Sequence, residues 1–303
     1  MGPMCDVQKE HAQDTADQGV LLARDLIGRV REALGARYNV ITSVGRGGNA
    51  TLFGAYDQRG QKVAIKVLHP ELAVSVAADR FLREIRYASQ LNHPHIARLL
   101  DSGENDYLLW FVMPFVPGET LRQVLRRERM LPIDRAVRVA TEVLDALAHA
   151  HEHGLAHRDI KPDNIVCSGE SGAILVDFGI ARAIATSGED RVTRSGFVVG
   201  TEEYMSPEQA GGSPDIDGRT DIYSLGVVLF EALSGRPPFS AASAAAVLDM
   251  QQHAAPPDLR KVRRDVPRAL SDTVMKSLAK AREARWQTAS DMRRALLPFA
   301  PVS

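Results

Sequence analysis

The residues best equipped for chemistry stand in one short run, His157-Arg158-Asp159-Ile160-Lys161-Pro162-Asp163-Asn164, followed by Asp177-Phe178-Gly179. These residue types suit phosphoryl transfer. That reaction needs a carboxylate to orient the attacking hydroxyl, oxygen ligands for magnesium, and cations over the phosphates. Asp159 fits the first role. Asn164 and Asp177 offer hard oxygens of the kind magnesium takes alongside substrate phosphates. Lys161 can neutralise charge on the transferring group. A run of eight residues with a second triplet eighteen positions after Asp159 is a specific signal.

Two weaker signals precede it. Gly45-Arg46-Gly47-Gly48-Asn49-Ala50 lies between strand-like segments, and glycines let backbone N–H groups approach phosphate oxygens closely. Such a stretch is often only a turn; no helix follows it, which excludes the Rossmann and Walker readings. Lys66 closes Val63-Ala64-Ile65-Lys66, and a charge amid apolar strand residues calls for a partner or a ligand. Glu84, in the following helical stretch, can partner it while the ammonium contacts phosphate. The plain alternative is an edge-strand lysine facing solvent.

The elements that must position these groups follow from periodicity. The chain has 303 residues, 45% hydrophobic and 25% charged, with a formal net charge of −1. That balance gives no reason to expect nucleic acid or a membrane surface as partner. Cys5 and Cys167 are the only cysteines, which argues against a disulfide framework or a zinc site. No stretch reaches the ~18 apolar residues of a membrane span. The first 17 or so residues read as disordered; Leu22, Leu26, Ile27, Val30 and Leu34 then recur at helical spacing. Short β-type runs fill 38–67, a helix is expected over 78–91, and strands at Ile96–Asp101 and Leu108–Met113. Beyond Gly118 the chain reads as helical. Val137, Ala140, Val143, Leu144 and Leu147 form one stripe, and Ile222–Leu233 is apolar on nearly every side, as in a buried helix.

In order and wording the motifs resemble the protein kinase superfamily: glycine-rich loop, Val-Ala-Ile-Lys strand, helix Glu, His-Arg-Asp loop, Asp-Phe-Gly, then Ser206-Pro207-Glu208 where the family has Ala-Pro-Glu. The wording is most similar to bacterial serine/threonine kinases of eukaryotic type. The resemblance implies an α+β, bilobal kinase-like fold, with a small β-rich N-lobe carrying one key helix and a larger, mainly helical C-lobe. It sets residues 1–36 apart as an extension, partly disordered with an amphipathic helix. The kinase domain spans 37–299, its lobes meeting near 116–117. ATP and magnesium are the implied cofactors, with manganese as a substitute.

Site roles follow from the same resemblance. Lys66, Glu84, Asp159 and Lys161 form the catalytic set, and Asn164 and Asp177 hold the metal. Gly45 to Ala50 cover the phosphates. Val44, Leu52, Ala64 and Val166 sandwich the adenine, Met113 is the gatekeeper, and Pro114 and Val116 are the hinge residues facing the base edge. Ala50 stands where a third glycine is usual and Leu52 where valine is. Asp221 is implied to anchor the catalytic loop, Arg285 to pair with Glu208, and Arg158 to hold a phosphate on the activation segment, with Thr193 and Ser195 the favoured sites. Lys161 and Thr201 point to serine or threonine as acceptor. The implied partners are protein substrates, with a homodimer for autophosphorylation in trans as an option, and the implied location is cytoplasmic, in a soluble enzyme or the intracellular part of a membrane-anchored one. Two rivals are a pseudokinase scaffold, which should lack Lys66, Asp159, Asn164 or Asp177, and a small-molecule phosphotransferase, which should lack Glu208 and Thr201. His149, His151 and His153 sit at a spacing that could hold zinc, yet they coincide with the helix end before the His-Arg-Asp loop.

Overall fold

The computed structural model describes residues 26–47, 50–68, 85–105, 108–169, 172–177 and 202–301. Gly48, Asn49, Glu84, Thr193, Ser195 and Thr201 lie outside the described residues, as does the first half of the helix expected over 78–91. The chain divides into two compact units, residues 1–75 with 101–115, and 76–100 with 116–303.

The first unit is a helix on a sheet. Helix α1 (26–34) precedes strands β1 (Tyr38–Arg46), β2 (Ala50–Asp57) and β3 (Lys62–Leu68). Strands β4 (Asp101–Asn105) and β5 (Leu108–Pro114) complete an antiparallel sheet of order β1-β2-β3-β5-β4. Between β2 and β3 the chain reverses because the Asp57 carboxylate accepts the N–H groups of Arg59 and Gln61. Val63, Ile65 and Val67 share one core with Phe53, Trp110, Val112 and the α1 residues Val30 and Leu34. Alternation along a strand then turns Ala64 and Lys66 to the opposite face. Arg31 ties α1 down by donating from Nε and Nη2 to the Val40 carbonyl at 3.0 and 2.9 Å.

In the second unit, β6 (Glu119–Thr120), β7 (Ile165–Ser168) and β8 (Gly172–Leu175) make a small sheet. The helices are α2 (Leu121–Glu128), α3 (Ile133–Glu152), α4 (Pro207–Ala210) and α5 (Arg219–Ser234). After them come α6 (Ala244–His253), α7 (Leu259–Val262), α8 (Arg268–Ser277) and α9 (Ala289–Leu296). Every residue of α5 from Thr220 to Leu233 is buried, as its all-round apolar sequence requires. Gly235 stops the helix in the left-handed region, φ 82°, its N–H bonded to the Glu231 carbonyl at 2.7 Å. Around α5 one core joins the stripe of α3 (Val137, Val143, Leu144, Leu147) to Leu270, Val274 and Met292.

One expected strand is displaced. Ile96–Asp101 makes only an isolated bridge, Ile96 to Leu175, and regular pairing with β5 starts at Asp101. The Ala97 N–H donates to the Leu175 carbonyl and the Leu175 N–H to the His95 carbonyl. Of the run only Ile96 is buried, at its bridge to β8, while Leu100 is exposed. Leu34 is almost fully buried in the first unit's core. Leu34→Ala should therefore cost ~2–5 kcal/mol of stability, read as a lowered midpoint in urea unfolding; an unchanged midpoint would show that α1 contributes no packing.

Candidate active site

The second unit builds its chemistry on a buried carboxylate. Asp221, near the start of α5, is fully buried. Its Oδ2 accepts the N–H of His157 at 2.7 Å and Oδ1 that of Arg158 at 2.7 Å, while His151 Nε2 lies 2.8 Å from Oδ2. A carboxylate holding two successive N–H groups fixes the loop's backbone, and Arg158 sits there at φ 64°, a costly conformation for a non-glycine residue. His157 is buried too. Its Nδ1 accepts the Asp159 N–H at 3.2 Å, which leaves Nε2 to donate to the Val176 carbonyl at 3.1 Å. Burial pushes the His157 imidazole below its ordinary value, against the pull of Asp221 and Asp159, so the ring is neutral and its tautomer is set by these two bonds.

On this frame three functional side chains converge. Lys161 Nζ donates to Asp159 Oδ2 at 2.8 Å. Asn164 Nδ2 donates to the same oxygen at 3.0 Å and to the Asp159 carbonyl at 2.8 Å. With its amide nitrogen committed to Asp159, Asn164 turns its amide oxygen away, the orientation a ligand to a hard cation needs. The turn Pro162–Asn164 is continued by the Val176 N–H donating to the Asn164 carbonyl at 2.9 Å. Asp177 follows at φ 58°. Two carboxylates, a carboxamide oxygen and an ammonium are thus carried on one hydrogen-bonded loop system.

The first unit carries its residues on the sheet face away from α1. Lys66 pairs across the sheet with Leu52 on one side and Phe111 on the other, and Ala64 pairs with Gly54 and Met113. Lys66 Nζ lies 6.0 Å from the centroid of the Phe111 ring. A side chain at 54 would come within 3.3 Å of Val44 Cγ2, so Gly54 lets Val44 lie over the sheet. Val44, Leu52, Ala64 and Met113 form an apolar strip beside the lysine, with Val44 exposed. Gly45 and Arg46 end β1, Gly47 N–H bonds the Ala50 carbonyl at 2.8 Å, and Pro114 ends β5. Val166 lies in β7, and Val116 in the irregular stretch before β6.

Sequence reasoning left out several partners that bind the loop to its surroundings. Arg122 of α2 donates to Asp163, to Glu231 at 2.9 Å and to the Tyr204 hydroxyl at 2.6 Å, and that hydroxyl donates to Glu231. Gln209 donates to the Arg158 carbonyl at 2.8 Å and, through Oε1, accepts the Ser206 N–H in a capping box. The spacing Ser206-Pro207-Glu208-Gln209 is the one readable signal among these. His151 serves Asp221, while His149 stacks on His93 at 5.3 Å. Among the described residues no three His, Cys, Asp or Glu side chains are arranged to share a metal ion.

Arg285, fully buried, forks onto Glu208 with two bonds of 2.8 Å. Its other donors reach the carbonyls of Ala279, Arg219 and Lys280. Burial raises the Glu208 carboxyl, but Arg285 and Thr220 outweigh it and hold the group below its ordinary 4.5. Stability from a depressed carboxylate is present above the unfolded value and lost as pH falls through the folded one. Glu208→Gln should therefore cost ~1.5–3 kcal/mol at neutral pH. In urea titrations the gap to wild type should close as the wild-type carboxyl protonates; a constant gap across pH would rule out the charged pairing.

A model of the protein kinase domain matches residues 38–295. Serine/threonine-protein kinase PknB of Mycolicibacterium smegmatis is 40% identical over 272 residues, 87% of this chain and 43% of that protein. PknB of Mycobacterium tuberculosis is 41% identical over 268 residues, 86% of this chain and 42% of its own length. The chain thus spans less than half the length of these curated relatives. A crystal structure of Rad53 1-466 in complex with AMP-PNP has the same fold, with a TM-score of 0.71 and 24% identity over 88% of this chain and 66% of that one. The match runs through the Asp159 loop, the Asp221 anchor and the Glu208–Arg285 pair alike: the chain belongs to the protein kinase domain family.

Proposed function

We propose that this chain is an ATP-dependent protein kinase that phosphorylates serine and threonine hydroxyls, its own activation segment among them. The observation that carries this is the arrangement at Asp159, whose Oδ2 accepts bonds from both Lys161 and Asn164. A carboxylate so oriented can receive a hydroxyl proton while Lys161 offsets charge on the phosphoryl group. Lysine at this position accompanies serine/threonine activity in the resembling family, and the PknB relatives carry that activity in their names.

The donor set fits a magnesium ion, since Asn164 presents an amide oxygen and Asp177 a carboxylate, both hard ligands; manganese suits the same oxygens. Bound there, the metal would neutralise charge on the phosphates. The remaining roles fall to the chain. Lys66, partnered by Glu84, holds phosphate oxygens, and the Gly45–Ala50 backbone covers them. The apolar strip of Val44, Leu52, Ala64 and Met113, with Val166, takes the adenine, Pro114 and Val116 address its edge, and Thr201 helps seat the acceptor. A phosphate on Thr193 or Ser195 would pair with Arg158. No described helix is long and apolar enough to cross a membrane, and dependence on ATP argues for an intracellular site of action.

With labelled ATP and magnesium, wild type should label itself and added protein. Asp159→Asn should lose ~100-fold or more in rate, with Lys66→Met comparably weak and both folded by circular dichroism. Equal labelling by Asp159→Asn would overturn the assignment. Peptide mass spectrometry of the labelled wild type should find phosphate on Thr193 or Ser195, and its absence from both would remove the proposed role of Arg158.

A further inference from the structure

Glu202, Glu203 and Tyr204 form a short turn directly after Thr201, and three side chains hold it in place. Arg122 links the Tyr204 hydroxyl to Asp163 of the Asp159 loop, and Ser224 of α5 donates to the Tyr204 carbonyl at 2.7 Å. The third is Gln251 of α6, fully buried. Its Nε2 donates to the carbonyls of Glu202 at 3.2 Å and Glu203 at 2.5 Å, and its Oε1 accepts the Tyr223 hydroxyl at 2.6 Å. Lys280 secures this end of α6 by donating to the carbonyls of Met250 at 3.0 Å and Gln251 at 2.7 Å. Both amide protons of Gln251 are thus spent on the main chain of one turn. A buried carboxamide with all its polar atoms engaged is a fixed strut, because any displacement leaves a buried group without a partner.

We infer that Gln251 is a positioning residue for the acceptor: from α6 it sets the main chain of Glu202 and Glu203, the turn directly after Thr201, to which the acceptor is assigned above. This rests on the serine/threonine kinase reading above. Gln251 touches none of the residues assigned to nucleotide or metal, so its influence falls on the acceptor and not on ATP. Misplacing a bound group by a fraction of an ångström is enough to weaken transfer.

The test uses the full chain, with folded Asp159→Asn protein as phosphoryl acceptor. Gln251→Glu keeps the side-chain shape and removes the two donations. The KM for acceptor should rise about tenfold, while the KM for ATP and acceptor-independent ATP hydrolysis stay within about twofold of wild type. Gln251→His, which retains a donor, should recover part of the loss. Unchanged acceptor KM in a folded Gln251→Glu protein would overturn the inference. So would parallel loss of ATP affinity and thermal stability, the mark of a merely structural role. If Gln251→Glu does not fold, Tyr223→Phe decides by the same KM split, since it removes the hydroxyl that orients the amide at 2.6 Å and leaves Lys280, which also reaches that hydroxyl, its two main-chain carbonyls. A wild type that transfers phosphate to no serine or threonine acceptor would instead sink the kinase reading itself.

Discussion

The second unit depends on one carboxylate placed where water cannot reach it. Asp221 has no exposed surface, and its oxygens accept two consecutive backbone N–H groups at 2.7 Å. Burying a charge is expensive unless every lone pair is used, and here the loop itself supplies the donors. The arrangement works in both directions: the loop satisfies the charge, and the charge holds Arg158 at a positive φ that would otherwise relax. From this anchor the order passes through neutral His157 to Asp159 and Val176, and from Asn164 to Val176.

Elsewhere in this unit the same problem recurs on a larger scale. Eleven strands and helices joined by irregular connections leave buried carbonyls without a ladder partner, and each must find a donor. Long side chains supply them. Arg263 serves Leu131 and Leu233, Lys280 serves Met250 and Gln251, and Gln209 serves Arg158. Arg263 also pairs with Asp265, but its reach to Leu131 and Leu233, like that of Lys280 and Gln209, is to main chain. That explains why a unit rich in arginine is stitched together at points where no ion pair is visible in the sequence.

Legibility followed the range of the interaction. Lys66, Asp159, Lys161, Asn164 and Asp177 could be picked out because their chemistry is local and their spacing fixed. The strand that carries Lys66 followed from the apolar residues around it, and the burial of α5 from its apolar sequence. Gln251, Arg122 and His151 could not be found that way. Their partners lie 49, 82 and 70 positions away, and nothing in an isolated glutamine or arginine says which carbonyl or hydroxyl it will meet. The strand expected at Ile96–Asp101 failed for a related reason, since an apolar run does not say what the backbone beside it bonds to.

The Glu208–Arg285 pair has a bearing on ionic strength. All five N–H donors of Arg285 are taken by protein oxygens, and its side chain has no contact with solvent. Mobile ions screen charges through water, over about 8 Å at physiological salt, and no water reaches this guanidinium. Exposed pairs such as Arg268–Asp272 and Arg294–Asp291 are open to that screening. As salt rises, the outer charges of this unit are therefore uncoupled first, and the clasp that joins α4 to the segment before α9 keeps its strength.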